Sequence, residues 1–211
     1  MASLEESLIA SAIEALNIED YWPTFDSSKD IEEDNDTNGK TPEDLDYNYL
    51  SNCLGYLHRY AACHTALVLS VMIRMFHKCP PPEIRRLLAL KNDLNLVCIG
   101  SGPGNDLLGF LSALYGKHFG LLDLDITIVD KMAGWELVFL ETVRRLKLGE
   151  CGNVSKIFSD LKVKTSFMIG DMKHQDSWSN NLKRKLINAD VMLLSKFLSV
   201  VPNADKLSIL K

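Results

Sequence analysis

Leu96-Val97-Cys98-Ile99 runs directly into Gly100-Ser101-Gly102-Pro103-Gly104, and this junction constrains the fold of the 211-residue chain more than any other feature. Four apolar residues followed at once by three glycines at alternate positions read as a buried strand entering a turn. Such a turn needs positive φ or a close backbone approach, both of which a missing Cβ permits. An amphipathic pattern follows over residues 106–115, and a second apolar run closes on Asp130. Strand, glycine turn, helix, strand, acidic residue is the order of a nucleotide-type half-site.

The alternation continues. Residues 95–99, 125–129, 164–169 and 190–194 read as strands, and 106–115, 135–146 and 178–186 as helices. Strands alternating with helices at this spacing predict an α/β fold: a Rossmann-like parallel sheet of about four strands, built of right-handed βαβ units. Ahead of it stands an N-terminal helical extension. Leu4, Leu8, Ile9, Ile13 and Leu16 have helical spacing, with Ser3 and Glu6 as a capping box. A long helix is expected over residues 47–77, with Leu50, Leu54, Leu57, Ala61, Leu67, Val68, Val71 and Met75 on its apolar face. Pro80-Pro81-Pro82 stops it, and a short basic helix follows at 83–90. The chain thus divides into a helical region, 1–90, and an alternating region, 91–211. The second reads as incomplete after its fourth strand, because a doubly wound sheet continues past its first strand on the other side.

Charge and cysteine usage remove several function classes. The net charge of −5 is concentrated in residues 26–46, where nine acids face Lys29 and Lys40 and the segment reads as a solvated loop. The remainder is close to neutral, so the chain lacks the basic footprint of a nucleic-acid binder. Five scattered cysteines without a Cys-x-x-Cys pair favour reduced thiols and a cytoplasmic or nuclear setting. Cys63 and His77 fall about four helical turns apart on one helix, so Cys63, His64, His77 and Cys79 do not converge on a metal. No apolar run reaches the roughly 18 residues of a membrane span, and Glu5 and Glu6 stand where a signal peptide is basic.

The glycine spacing narrows the ligand class. The nicotinamide fingerprint is Gly-x-Gly-x-x-Gly, and here Asn105 stands where its third glycine belongs. No Gly-Lys-Ser/Thr follows, which excludes a P-loop. Gly100-Ser101-Gly102-Pro103-Gly104, Asp130 after the second strand and Gly170-Asp171-Met172 after the third together resemble the class I, Rossmann-like S-adenosylmethionine-dependent methyltransferases. The resemblance covers roughly residues 92–201. It implies that Gly100, Ser101, Gly102 and Gly104 bind the methionine and ribose parts of S-adenosylmethionine. It implies further that Asp130 accepts hydrogen bonds from the ribose hydroxyls, and that Asp171 accepts from the adenine amino group with Met172 beside the ring. Each has a plainer alternative: a ligand-free tight turn, a helix cap at Asp130, a turn residue at Asp171.

Other residues carry paired readings. Asp106 either complements the dipole of its helix or contacts the cofactor. Trp135 either packs its helix against the sheet or sits at the adenine edge. Tyr56, Arg59, Tyr60 and His64 share one helix face, as a lid over the cofactor or as ordinary packing. Lys196, after the fourth strand, faces substrate or solvent. The segment Leu194-Ser195-Lys196-Phe197-Leu198 carries neither the Asp/Asn-Pro-Pro-Tyr/Phe signature of amino-methylating nucleic-acid enzymes nor the Pro-Cys of cytosine C5 enzymes. The methyl acceptor therefore stays unnamed. Two alternatives stand beside a methyltransferase: a catalytically silent, truncated relative acting as a binding or regulatory partner, and an NAD(P)-dependent oxidoreductase. An incomplete sheet further implies an open side for a protein partner to cover.

Overall fold

The computed structural model describes residues 45–77, 90–117 and 120–195. The helix expected at 4–16, the acidic loop up to residue 44, the basic helix before Leu90, and the segment from Lys196 to Lys211 lie outside those residues.

Helix α1, Leu50–His77, is about 42 Å long at 1.5 Å per residue. It starts three residues later than the apolar spacing predicts. The Asp46 carboxylate accepts from the Asn48 backbone N–H at 3.0 Å and holds a turn there. The Tyr47 ring is stacked on Trp135, with centroids 4.8 Å apart. The alternating section follows as β1 (Asp93–Ile99), α2 (Asn105–Leu114), β2 (Asp123–Asp130) and α3 (Trp135–Leu148). Then come α4 (Gly152–Asp160), β3 (Lys162–Ile169), a short 3-10 turn at Gln175–Ser177, α5 (Asn180–Ile187) and β4 (Val191–Leu193). All four strands sit where the sequence places them, with β1, β2 and β3 each starting two residues earlier than predicted. Helix α4 is an addition. Gly149, at φ 82°, ends α3, and α4 then buries Val154 and Ile157 one turn apart.

The four strands form one parallel, Rossmann-like sheet in the order β3-β2-β1-β4. The chain steps outward from β1 to β2 to β3, then returns through α5 to lay β4 on the opposite side of β1, so the far side that the sequence predicts to be missing is begun by β4. The topological switch point therefore lies between β1 and β4, where the crevice at the carboxyl ends of the strands is a ligand's usual seat. Inward residues alternate. Leu94, Leu96 and Cys98 of β1 and Leu124, Ile126 and Ile128 of β2 pack with α1, α2, α3 and α4 in the main core. Val97, Ile99 and Val129 face the other way, against Leu182 of α5 and Met172.

Gly109 brings α2 onto α1. A Cβ there would lie 2.6 Å from the Thr65 carbonyl oxygen and 2.8 Å from Val68 Cβ, so only a glycine permits this crossing. The long helix is thus fixed against the first helix of the alternating section. Beside β4, α1 overhangs an apolar cavity of about 380 Å³ lined by Leu67, Val71, Met72, Phe110 and Leu193 among others. No described helix is long and apolar enough to cross a membrane.

Candidate functional site

The turn after β1 continues the sheet for one residue, as Gly100 N–H donates to the Val129 carbonyl at 2.8 Å. The chain then folds back through Gly100, Gly102 and Gly104 at φ 64°, 49° and 94°, a left-handed region that side chains avoid. The Gly104 N–H closes on the Ser101 carbonyl at 3.0 Å, and its own carbonyl accepts from Leu108 to start α2. The space that a Cβ would take is used by packing: the Trp135 indole lies 3.1 Å from that position at Gly102, and the Phe139 ring 3.2 Å from it at Gly104. Gly100 is exposed at the crevice, whereas residues 101–104 are buried. Of the three glycines, Gly100 presents its backbone outward.

Asp130 reaches this turn from the end of β2. Its Oδ2 accepts from Gly102 N–H and its Oδ1 from Met132 N–H, both at 3.1 Å. Burial raises its pKa, opposed by those two N–H groups and by Lys131. The carboxylate is therefore a brace that ties the loop after β2 to the glycine turn. A carboxylate has about four acceptor sites, so it keeps room for a further donor.

Asp171 follows β3 by two residues. Its Oδ1 accepts from Lys173 N–H at 2.9 Å, and its Oδ2 lies 3.1 Å from His174 Nδ1. Burial pushes the carboxyl up, but the Lys173 N–H and His174 outweigh it and hold the pKa below its ordinary value. Met172 is buried, clustered with Val129 and Leu182. The Trp178 indole N–H donates to the Asp171 carbonyl at 2.7 Å and fixes this loop.

Three buried polar residues lie where the turn enters α2: Ser101, Asn105 and Asp106. Thr65 of α1 donates to the Asn105 carbonyl at 3.3 Å. Asp106 is only 4% exposed, and its Oδ2 has no hydrogen-bond partner; the same is true of Ser101 Oγ. Burial raises the Asp106 carboxyl to about 7, against hydrogen bonds from the Ser195 hydroxyl and backbone N–H that favour the charged form. Ser195 follows β4, so Asp106 sits on the β4 side of the crevice. Asp130 sits on the β2 side.

Helix α1 covers this end of the sheet with aromatic rings. The Tyr56 hydroxyl lies 2.8 Å from His64 Nδ1, and its ring meets Trp135 edge-on at 5.4 Å and Tyr60 at 5.2 Å. Burial raises the Tyr56 hydroxyl first, and the neighbouring Tyr47, Asp106 and Asp130 raise it further. Tyr56 therefore stands close enough to both carboxyl groups to feel their charge. The face predicted from i, i+3, i+4 and i+8 spacing exists, with Arg59 exposed and 5.5 Å above the Tyr60 ring. Sequence spacing did not reveal that Tyr47 joins this cluster, nor that Asp106 meets Ser195 across nearly ninety residues. Among the described residues, no three His, Cys, Asp or Glu side chains group to hold a metal ion. Comparison of the chain with protein-family models, curated proteins and solved structures finds no match.

Proposed function

We propose that the crevice at the carboxyl ends of β1 and β2 binds S-adenosylmethionine and that the chain is of the methyltransferase type. One observation carries the reading. The left-handed glycine turn stands at the sheet's switch point with the acid of the next strand hydrogen-bonded to it. The residues fit such a ligand: Gly100 offers exposed backbone, Asp130 has free lone pairs, and Ser101 carries an unpartnered hydroxyl. Asp130 would hold the ribose hydroxyls and Asp171 the adenine edge, with Gly100, Ser101, Gly102 and Gly104 along the rest of the ligand. Met172, as a core residue, would act by supporting the Asp171 loop. When bound, the cofactor supplies a methyl group activated on a sulfonium. The chain's own part is to orient that ligand and exclude water, which is most of what an in-line displacement needs.

Calorimetric titration of the full chain with S-adenosylmethionine tests this. Micromolar binding, lost in Asp130→Ala while the variant keeps its far-ultraviolet circular dichroism, supports the proposal. A folded chain that gives no binding by heat or by equilibrium dialysis refutes it. A second reading, a silent interaction module, is favoured by the apolar cavity of about 380 Å³ beside β4, which a partner would cover.

A further inference from the structure

Asp106 occupies an unusual position for a first-turn acid. An acid there ordinarily lies exposed and complements the helix dipole. This one is nine-tenths buried, on the β4 side of the crevice, with one oxygen unpartnered. Ser101, five residues earlier and equally buried, also has an unpartnered oxygen. Orphaned buried polar atoms are rare in folded proteins, and two beside one turn mark a place where a ligand's polar group belongs. Among the described residues, the groups facing Asp106 are Tyr56 on α1, Cys98 on β1 and Ser195 after β4. None of the three is a cation. The Tyr56 hydroxyl is paired with His64, and the ring beside it meets Tyr60.

A buried carboxyl oxygen awaiting a partner recognises an organic cation through a charge-assisted hydrogen bond. The adenosyl half of the proposed cofactor is assigned to Asp130 and Asp171, on the β2 and β3 side. Asp106 lies at the other end. We infer that Asp106, with Tyr56 above it, is the binding site for the protonated amine of a small methyl acceptor. This assignment rests on the cofactor reading and narrows it to amine substrates. The amine's ammonium donates to Asp106 Oδ2. Because the free carboxyl titrates near neutrality, it holds such a cation well only once it is ionised.

The test is calorimetry on the full chain with butylamine and phenethylamine, and with their matched alcohols, after saturation with S-adenosylhomocysteine. The amines are expected to bind and the alcohols not to. Affinity should rise about tenfold from pH 6 to pH 8, as the carboxyl ionises while the amine stays protonated. At pH 6.5, binding should release a proton, read as a heat that varies with the buffer's ionisation enthalpy. Asp106→Asn should abolish amine binding and the pH dependence; should that variant fail to fold, the buffer-dependent heat of the wild-type chain decides alone. Three results overturn the inference: equal affinity for amines and alcohols, amine binding without proton release, or an Asp106→Asn variant that loses S-adenosylhomocysteine as well, which assigns the carboxyl to the cofactor's own ammonium. If S-adenosylhomocysteine and S-adenosylmethionine both fail to bind the wild-type chain, the cofactor reading fails first and this inference falls with it.

Discussion

Asp106→Asn separates a buried ionisable group from an ordinary helix-dipole partner by the sign of its effect on stability. The folded carboxyl, raised to about 7 by burial, keeps its proton where the unfolded one, near 3.8, has lost it. Between those values the folded state binds more protons than the unfolded state, so stability falls as pH rises through the window and levels off above it. At 1.36 kcal/mol per unit, the full effect is on the order of 4 kcal/mol. About two units of it lie above pH 5, so the part read between pH 5 and pH 8.5 is about 3 kcal/mol. Asparagine carries no charge and lacks this dependence, while titrations elsewhere in the chain are common to both proteins and cancel. Urea unfolding of the two proteins at both pH values gives the difference directly. With a slope of about 2 kcal/mol per molar urea, the midpoint difference should grow by roughly 1.5 M in favour of the variant at pH 8.5. A carboxylate that merely complements the helix dipole gives the opposite sign, because its charged form stabilises the helix. A midpoint difference that is constant with pH, or that favours the wild type at high pH, refutes the burial argument.

Three further substitutions probe the frame around the site. Gly109→Ala places a methyl group against the Thr65 carbonyl and should cost about 1–3 kcal/mol by forcing α1 off α2; helix propensity alone predicts a gain of about 1 kcal/mol, so a raised urea midpoint denies the close crossing. Asp130→Asn turns one of two acceptor oxygens into a donor facing a backbone N–H, and should destabilise the chain by about 1–3 kcal/mol and weaken S-adenosylmethionine at least tenfold, measured by thermal melt and calorimetry. Tyr56→Phe removes the bond to His64 but leaves the ring contacts, so it should cost only about 1 kcal/mol in urea unfolding; a loss of several kcal/mol would show that the hydroxyl does more than meet His64.

Legibility in the sequence tracks the range of the interaction. β1 and β4 were legible as short apolar runs, β2 and β3 by apolar residues leading to Asp130 and to Gly170, and the turn after β1 because three glycines in five residues have few other uses. Helix α4 was not legible: Val154, Ile157 and Phe158 are a single turn's worth of apolar side chains, too few to define a period, and the helix is set by its packing on α3 and β3. The face of Tyr56, Tyr60 and His64 was visible as local spacing, but what it covers depends on α1 crossing α2 at Gly109. Asp106 is the sharpest case. An aspartate in the first turn of a helix looks the same in sequence whether it is exposed or buried, and only the arrival of α1 and of Ser195 after β4 buries it.

The two carboxyl groups at this end of the sheet differ in the hydrogen bonds they already hold. Asp130 gives one lone pair on each oxygen to the backbone, to Gly102 and Met132. Its charge is stabilised by fixed donors, and any ligand hydroxyl it accepts adds to a group whose position does not depend on the ligand. Among the described residues Asp106 accepts from Ser195 and keeps one oxygen without a partner, so its charged form has less fixed stabilisation than that of Asp130. A ligand on the β2 side therefore meets a preorganised acceptor, and one on the β4 side meets a group whose ionisation it must help stabilise. A hydroxyl gains most from the first kind of partner and a cation from the second. This division assigns a ribose to the Asp130 end and an amine to the Asp106 end. Altering the Asp106 environment alone is the decisive perturbation. Ser195→Ala removes the hydroxyl whose hydrogen bond favours the charged form of Asp106, and should raise the Asp106 pKa further. The pH at which butylamine binding reaches half its maximum should move upward from neutrality by about one unit or more. An unchanged midpoint would mean that Asp106 is not the group whose ionisation the amine requires.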